Sequence, residues 1–312
     1  MKKNTKKIVT AAGIAAGTAA VASLYAYVTI KALIDTALDR EMPKVMEKAD
    51  KRISGEKSSD EFTNRMESAS ESLAVQPNET VEIIAHDGEK LVGHYFPCEK
   101  PERVIIAFHG WRSSWHRDFG MISDFWYKNN CSVLYVEQRG QNNSSGEYMG
   151  FGLTERFDCL DWLNWEIERC GSDIPVYLAG VSMGATTVLM AAGLQLPPNV
   201  HGIMADCGFT SANAIWEHIA KDNLHIRFGI RSAIADRMCR RKIQVGSKEH
   251  STVEALKHTH VPVILVHGAD DHFVPVEMTY ENYTACTAPK DLLIVPGADH
   301  GNGLAVEQGD AA

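Results

Sequence analysis

The chain has 312 residues, 45% hydrophobic and 23% charged, which is enough for one large α/β domain or two small ones. Its formal net charge of −9 argues against a nucleic-acid partner, whose phosphates need a basic face. The short run "RMCRRK" (237–242) reads as a solvated helix end and leaves that balance unchanged.

In chain order, "MKKNTKK" is followed by a run that carries no charge from Ile8 to Ile30. At about 1.5 Å per residue this run can cross a hydrocarbon core of roughly 30 Å. Four lysines precede it, so the positive-inside rule places the N-terminus in the cytoplasm and the rest of the chain outside. Residues 1–30 are therefore expected to be an uncleaved membrane anchor. A cleaved signal peptide, and hence secretion, is the competing reading, because "AVA" (20–22) has small residues at suitable spacing. Residues 31–75 are rich in Lys, Glu, Ser and Met, with Pro43 and Gly55 interrupting them. They read as a charged helical stalk followed by a flexible linker.

The remainder, 76–312, reads as one domain. "TVEIIA", "HDGEK" and "LVGHYF" form a hairpin with Asp87-Gly88 at the turn. Strand-like runs follow at 103–108, 132–137, 175–180, 200–205, 261–266 and 291–296, with helical spacing between most of them. Continuous apolar strands alternating with helices predict a mainly parallel eight-stranded sheet covered on both faces. The interval from about 208 to 258 is longer than one crossover helix needs. It predicts a small helical cap over the carboxyl edge of the sheet, where ligands bind in such folds. The seven cysteines are irregularly spaced and lack a CxxC pair, so they read as small core residues.

"PVYLAG", "VSM" and "GATTVLMAAG" then read as strand, tight turn and helix around Ser182. Glycines two positions either side of the serine are what a turn that lifts its hydroxyl above the sheet edge requires. A hydroxyl needs a base, and His300 in "VPGADHGNG" follows the last strand. An acid must fix the tautomer of that histidine, and "LVHGADDHFVP" offers Asp270 and Asp271; Asp206 after the sixth strand is a third candidate. Asp299 reads as a turn residue. "AFHGWRSS" (107–114) places a loop after the third strand, so the backbone N–H groups of Trp111 and Met183 are the expected oxyanion donors. His109 reads as a brace for that loop. The histidine and acidic positions do not have metal-ligand spacing, and the required glycines of a phosphate loop are missing, so neither metal nor cofactor is expected.

With these parts in the order Ser, Asp, His, the chain resembles the α/β-hydrolase superfamily. It is most similar to the bacterial branch that groups serine aminopeptidase-like and acylglycerol-lipase-like hydrolases. The resemblance runs from about Thr80 to Gly301 through "FHGWRSS", "VEQRGQNNSSGEYMGFG", "GVSMGA", "ADCGFTS", "HGADDHFVP" and "GADHG". In that family the acid belongs to a D-x-x-V-P string, which here selects Asp271. The segment around Arg139 supports the site, with Glu137 and Asn143 departing from the usual residues. The family normally follows its histidine with a helix of about fifteen residues, where this chain has only "NGLAVEQGDAA". The resemblance implies an α/β-hydrolase fold and a cofactor-free serine hydrolase of carboxylesterase type acting on a small-molecule ester. A peptidase or amidase, or a non-catalytic binding protein on the same scaffold, are the alternatives. The oligomeric state has no signature in the sequence.

Overall fold

The computed structural model describes residues 21, 23–42, 60–229 and 231–301. The first helix, α1 (23–38), and α2 (Asp60–Ala74) precede an α/β domain. In chain order the domain runs β1 (Glu79–Ile84), β2 (Lys90–Phe96), β3 (Arg103–Phe108), α3 (Trp115–Lys128), β4 (Cys131–Glu137), α4 (Glu155–Cys170), β5 (Val176–Val181) and α5 (Met183–Ala191). It continues with β6 (Val200–Asp206), α6 (Ala212–His218), a π turn (Ile219–Asn223), α7 (Arg231–Ile243), α8 (Thr252–Leu256), β7 (Val263–Gly268), α9 (Val276–Ala285) and β8 (Lys290–Val295).

The eight strands form one sheet in the order β1-β2-β4-β3-β5-β6-β7-β8. The hairpin β1–β2 joins β4 antiparallel, and every pairing from β4 across to β8 is parallel. The central strands are apolar at nearly every position because both faces are covered. One face packs Ile106, Leu134 and Leu178 against Trp162 and Leu163 of α4 and Val188 of α5. The other packs Ile105, Val133 and Tyr135 against Trp115, Phe119 and Trp126 of α3. Helix α2 seats Leu73 in this second layer, and α2 comes so close at Gly120 that a Cβ there would lie 2.7 Å from the Ser70 nitrogen.

Two parts of the stretch 31–75, expected as stalk and linker, pack against the domain: the end of α1, in the cap cluster, and α2. The intervening residues 43–59 lie outside the described residues, as do 1–20 and 22, which hold most of the uncharged run. No helix among the described residues is long and apolar enough to cross a membrane. Residues 302–312, which stand where the family places its closing helix, also lie outside them. In the interval 208–258, α6 and α7 supply the cap, with Trp216, Ala235 and Cys239 buried in it. Helix α8 instead belongs to the main layer, since its Leu256 is buried in the core under the sheet. The run "RMCRRK" is only partly solvated: Lys242 lies across the Tyr148 ring and reaches Asp35 of α1 at 3.2 Å.

Arg139, two residues beyond β4, ties three segments together. Its Nε donates to Asp158 Oδ2 on α4 (2.6 Å) and its Nη1 to Asp87 Oδ2 in the hairpin turn (2.6 Å). Asp158 is 3% exposed, so removing the guanidinium would strand a buried carboxylate. Arg139→Met is expected to destabilise the protein by about 3–5 kcal/mol, read as a lower urea midpoint. The two departures in this segment meet each other: Glu137 accepts from the Asn143 backbone N–H (2.6 Å) and from its Nδ2 (3.0 Å). A hydrogen bond between Glu137 and His94 Nε2 (2.8 Å) completes that cluster.

Candidate active site

Ser182 stands between β5 and α5 with φ 54° and ψ −114°, a left-handed conformation that costs of order 1–3 kcal/mol outside glycine. The flanking glycines make the turn possible. A Cβ at Gly184 would sit 1.8 Å from the Phe108 carbonyl oxygen, and one at Gly180 would sit 2.3 Å from the Gly184 carbonyl carbon. The turn is pinned from below by the Ser182 N–H, which donates to the Asp206 carbonyl (2.8 Å). Met183 is the first residue of α5, so its N–H is one of the orphan donors at a helix start.

Three loops at the carboxyl ends of parallel strands converge here. After β8, His300 places Nε2 3.0 Å from Ser182 Oγ and Nδ1 2.7 Å from Asp271 Oδ2. The loop after β7 supplies Asp271, whose Oδ1 accepts the Phe273 and Val274 N–H groups, both at 2.8 Å. The other acidic candidates sit elsewhere. Asp270 is exposed, Asp206 meets Ser182 through its backbone carbonyl, and Asp299 accepts the His300 and His272 N–H groups within its own turn.

Burial disfavours a charge on Asp271, but His300 and His267 beside it outweigh this and hold its carboxyl well below the usual range. Burial also disfavours the His300 imidazolium, yet the net direction is upward. Asp271, whose Oδ2 lies 2.7 Å from Nδ1, favours the charged ring by its charge and its hydrogen bond. Burial pushes the neighbouring Cys207 thiol up to about 12, so it is neutral at pH 7 and Asp271 is the charge beside the ring. The site therefore favours an imidazolium once His300 has taken a proton.

The third loop follows β3. A Cβ on Gly110 would come within 3.4 Å of the Ser182 Cβ, so this loop passes directly over the serine. Asp118 on α3 holds it by accepting the Gly110 N–H (2.6 Å) and the Ser113 hydroxyl (2.5 Å). His109 is fully buried; its Nδ1 donates to the Gly110 carbonyl (2.8 Å) and its Nε2 accepts the Gln138 N–H (3.2 Å). That places it as a brace. The wall beside the serine is aromatic: Trp111 stacks on Phe273 at 6.4 Å, and Phe273 meets the His300 ring edge-on at 5.0 Å.

Two residues at the site escaped the sequence reading. His267, at the end of β7, is wholly buried with Nε2 3.1 Å from Asp271 Oδ2 and Nδ1 2.6 Å from Thr279 Oγ1. Its spacing of four from Asp271 was the available signal. Cys207 has φ 48° and is fully buried, with its sulfur within 4.8 Å of ligand atoms of both Asp271 and His300. Nothing in "ADCGFTS" marks it.

This sheet order, with a serine elbow after β5, an acid after β7 and a histidine after β8, is the α/β-hydrolase fold. No family model matches the chain. The uncharacterized protein YqkD of Bacillus subtilis is 24% identical over 212 residues, 66% of this chain and 67% of its own length. Among solved structures, a Pyrococcus furiosus esterase superposes with a TM-score of 0.59 at 20% identity, covering 76% of this chain and 88% of its own. The α/β-hydrolase GrgF of a Penicillium species gives 0.55 at 18% identity, covering 75% and 94%. The Pyrococcus horikoshii acylaminoacyl peptidase gives 0.52 at 17%, covering 72% of this chain and 38% of its own.

Proposed function

We propose that the protein is a serine hydrolase that cleaves carboxylic esters through an acyl-enzyme. The observation that carries this reading is the continuous hydrogen-bonded chain from Ser182 through His300 to Asp271. His300 Nε2 takes the hydroxyl proton as Ser182 Oγ attacks the ester carbonyl. The tetrahedral oxyanion is held by the N–H groups of Trp111 and Met183. His300 returns the proton to the leaving alcohol, then activates the water that releases the acid. Asp271 stays ionised throughout, and no cofactor enters the cycle.

The aromatic and aliphatic wall formed by Trp111, Phe151, Met183 and Phe273 fits a short or medium acyl chain. Segment 1–30 is proposed to anchor the chain in the cell membrane with the domain on the extracytoplasmic side, its last residue, Ile30, already packing into the domain. In support, Val21, Leu24, Tyr25 and Val28 are 55–69% exposed. Such an anchor would set the site at the bilayer surface.

The reading is tested with the full chain in detergent against a graded series of p-nitrophenyl esters and a matched series of aminoacyl anilides. Ester kcat/KM at least about tenfold above the anilides is expected, because ester cleavage asks less of a leaving-group acid. Faster anilide turnover would replace the ester reading with a peptidase, and turnover of neither would leave a binding scaffold.

A further inference from the structure

The last four carbonyls of a helix have no partner within it and must find donors elsewhere. At the end of α1 every carbonyl from residue 36 to 40 is met by the domain. Arg112 Nη2 donates to Thr36 O (3.0 Å) and Asp39 O (2.5 Å), and Arg112 Nη1 donates to Arg40 O (2.9 Å). Trp111 Nε1 donates to Ala37 O (2.9 Å), and the Met149 N–H donates to Leu38 O (2.7 Å). Four of these five bonds come from two consecutive residues of the loop that crosses Ser182.

The contact is reciprocal. Arg40 returns hydrogen bonds to Ser144 O (2.7 Å) and Asn142 O (2.5 Å), and Asn142 Nδ2 donates to Ser113 O (3.0 Å) in the same loop. Arg112 is held at φ 52°, a backbone state for which a non-glycine residue needs outside support. The helix itself is seated by an apolar stripe. Ile30, Leu33, Ile34, Ala37 and Leu38 are at most 5% exposed and share a cluster with Met183 and Phe151.

We infer that the C-terminal end of α1 is a positioning element of the active site. It clamps Trp111 and Arg112 so that the Trp111 backbone N–H stays aimed at the oxyanion. The inference rests on the serine-hydrolase reading above for the role of that N–H. A guanidinium in the partial negative field of a helix C-terminus suits the clamp, because charge and geometry act together. The segment that reads as a stalk is thereby part of the catalytic apparatus, and whatever unseats it lowers turnover.

The test uses three variants of the full chain: Arg112→Gln, the pair Ile34→Ala/Leu38→Ala, and all three changes together. Arg112→Lys, which keeps the charge but cannot span three carbonyls, is a fourth that perturbs packing least. Steady-state kinetics on a p-nitrophenyl ester are read beside hydrogen exchange of residues 109–114. Each variant is expected to lose about 10- to 100-fold in kcat with KM changed less than about threefold, as befits a misplaced oxyanion donor. The combined variant should lose no more than the worse of its parents, since both act through one contact. Exchange at 109–114 should quicken in every variant while that of 176–191 stays unchanged. Multiplicative losses, a fall confined to KM, or unchanged exchange at 109–114 would each overturn the clamp. If the wild type turns over no ester, the hydrolase reading fails, and the exchange measurement still decides whether α1 holds the loop.

Discussion

Ser182→Ala is expected to lower kcat for the best p-nitrophenyl ester by about 10⁴- to 10⁶-fold, and to abolish covalent labelling by an active-site phosphonate. The substitution removes one hydroxyl from a position that is 5% exposed and leaves the pinning bond from its N–H to Asp206 intact. The thermal midpoint should therefore move by no more than a few degrees, which separates lost chemistry from lost fold. Residual turnover comes from the oxyanion donors and bound water alone. A variant that hydrolyses the ester as fast as the wild type would dismiss Ser182 as the nucleophile.

The second large effect is at Asp271. Asp271→Asn is expected to lower kcat by about 10⁴-fold, because an amide there can donate to His300 Nδ1 and leave Nε2 carrying the proton. The pH profile adds a sign. In the proposed cycle His300 acts as a base only when neutral, and it is held above its ordinary 6.5 in the folded protein. Wild-type kcat/KM should fall on the acid side with a midpoint above 6.5. Removing the carboxylate removes a main support of the imidazolium, so the variant's midpoint should move to lower pH while its maximum drops. An unmoved acid limb in the variant would show that another group governs His300. His267 then becomes the residue to examine, since it faces the same carboxylate oxygen at 3.1 Å.

Both experiments need residues 30–42 in place. A chain that began beyond them would lose the apolar stripe from the cap cluster and every partner of the Arg112 fork described above. On the inference above, such a chain is expected to show a lower kcat with faster exchange at 109–114.

The strands were readable because a parallel strand buried on both faces is a short apolar run bounded by turns. "RVIIAF" is β3 residue for residue, and the other runs differ from their strands by one or two positions. The elbow around Ser182 was readable for a steric reason that lies within a few residues: no side chain fits at 180 or 184. Chain order and glycine-rich surroundings point to His300, and a short string tied to the resemblance points to Asp271 over its neighbour. Each of these signals is local, set by backbone sterics and by the period of the chain.

What the sequence could not convey is which distant segments meet. The stripe Ile30, Leu33, Ile34, Ala37 and Leu38 has helical spacing, but it lies between an uncharged run and charged residues, so composition pointed to a stalk. Only the folded domain brings together the cluster that buries it, with Met149, Phe151 and Met183 as well as residues of α6 and α7. The carbonyls of 36–40 look alike in any helix, and their capture by Arg112 depends on a loop more than seventy residues away. His267 and Cys207 likewise gain meaning only when β6, β7 and β8 align their carboxyl ends around one imidazole. Local sterics determined the sheet and the serine turn. Contacts between segments far apart in sequence, fixed when the apolar faces close on one another, decided what orients them.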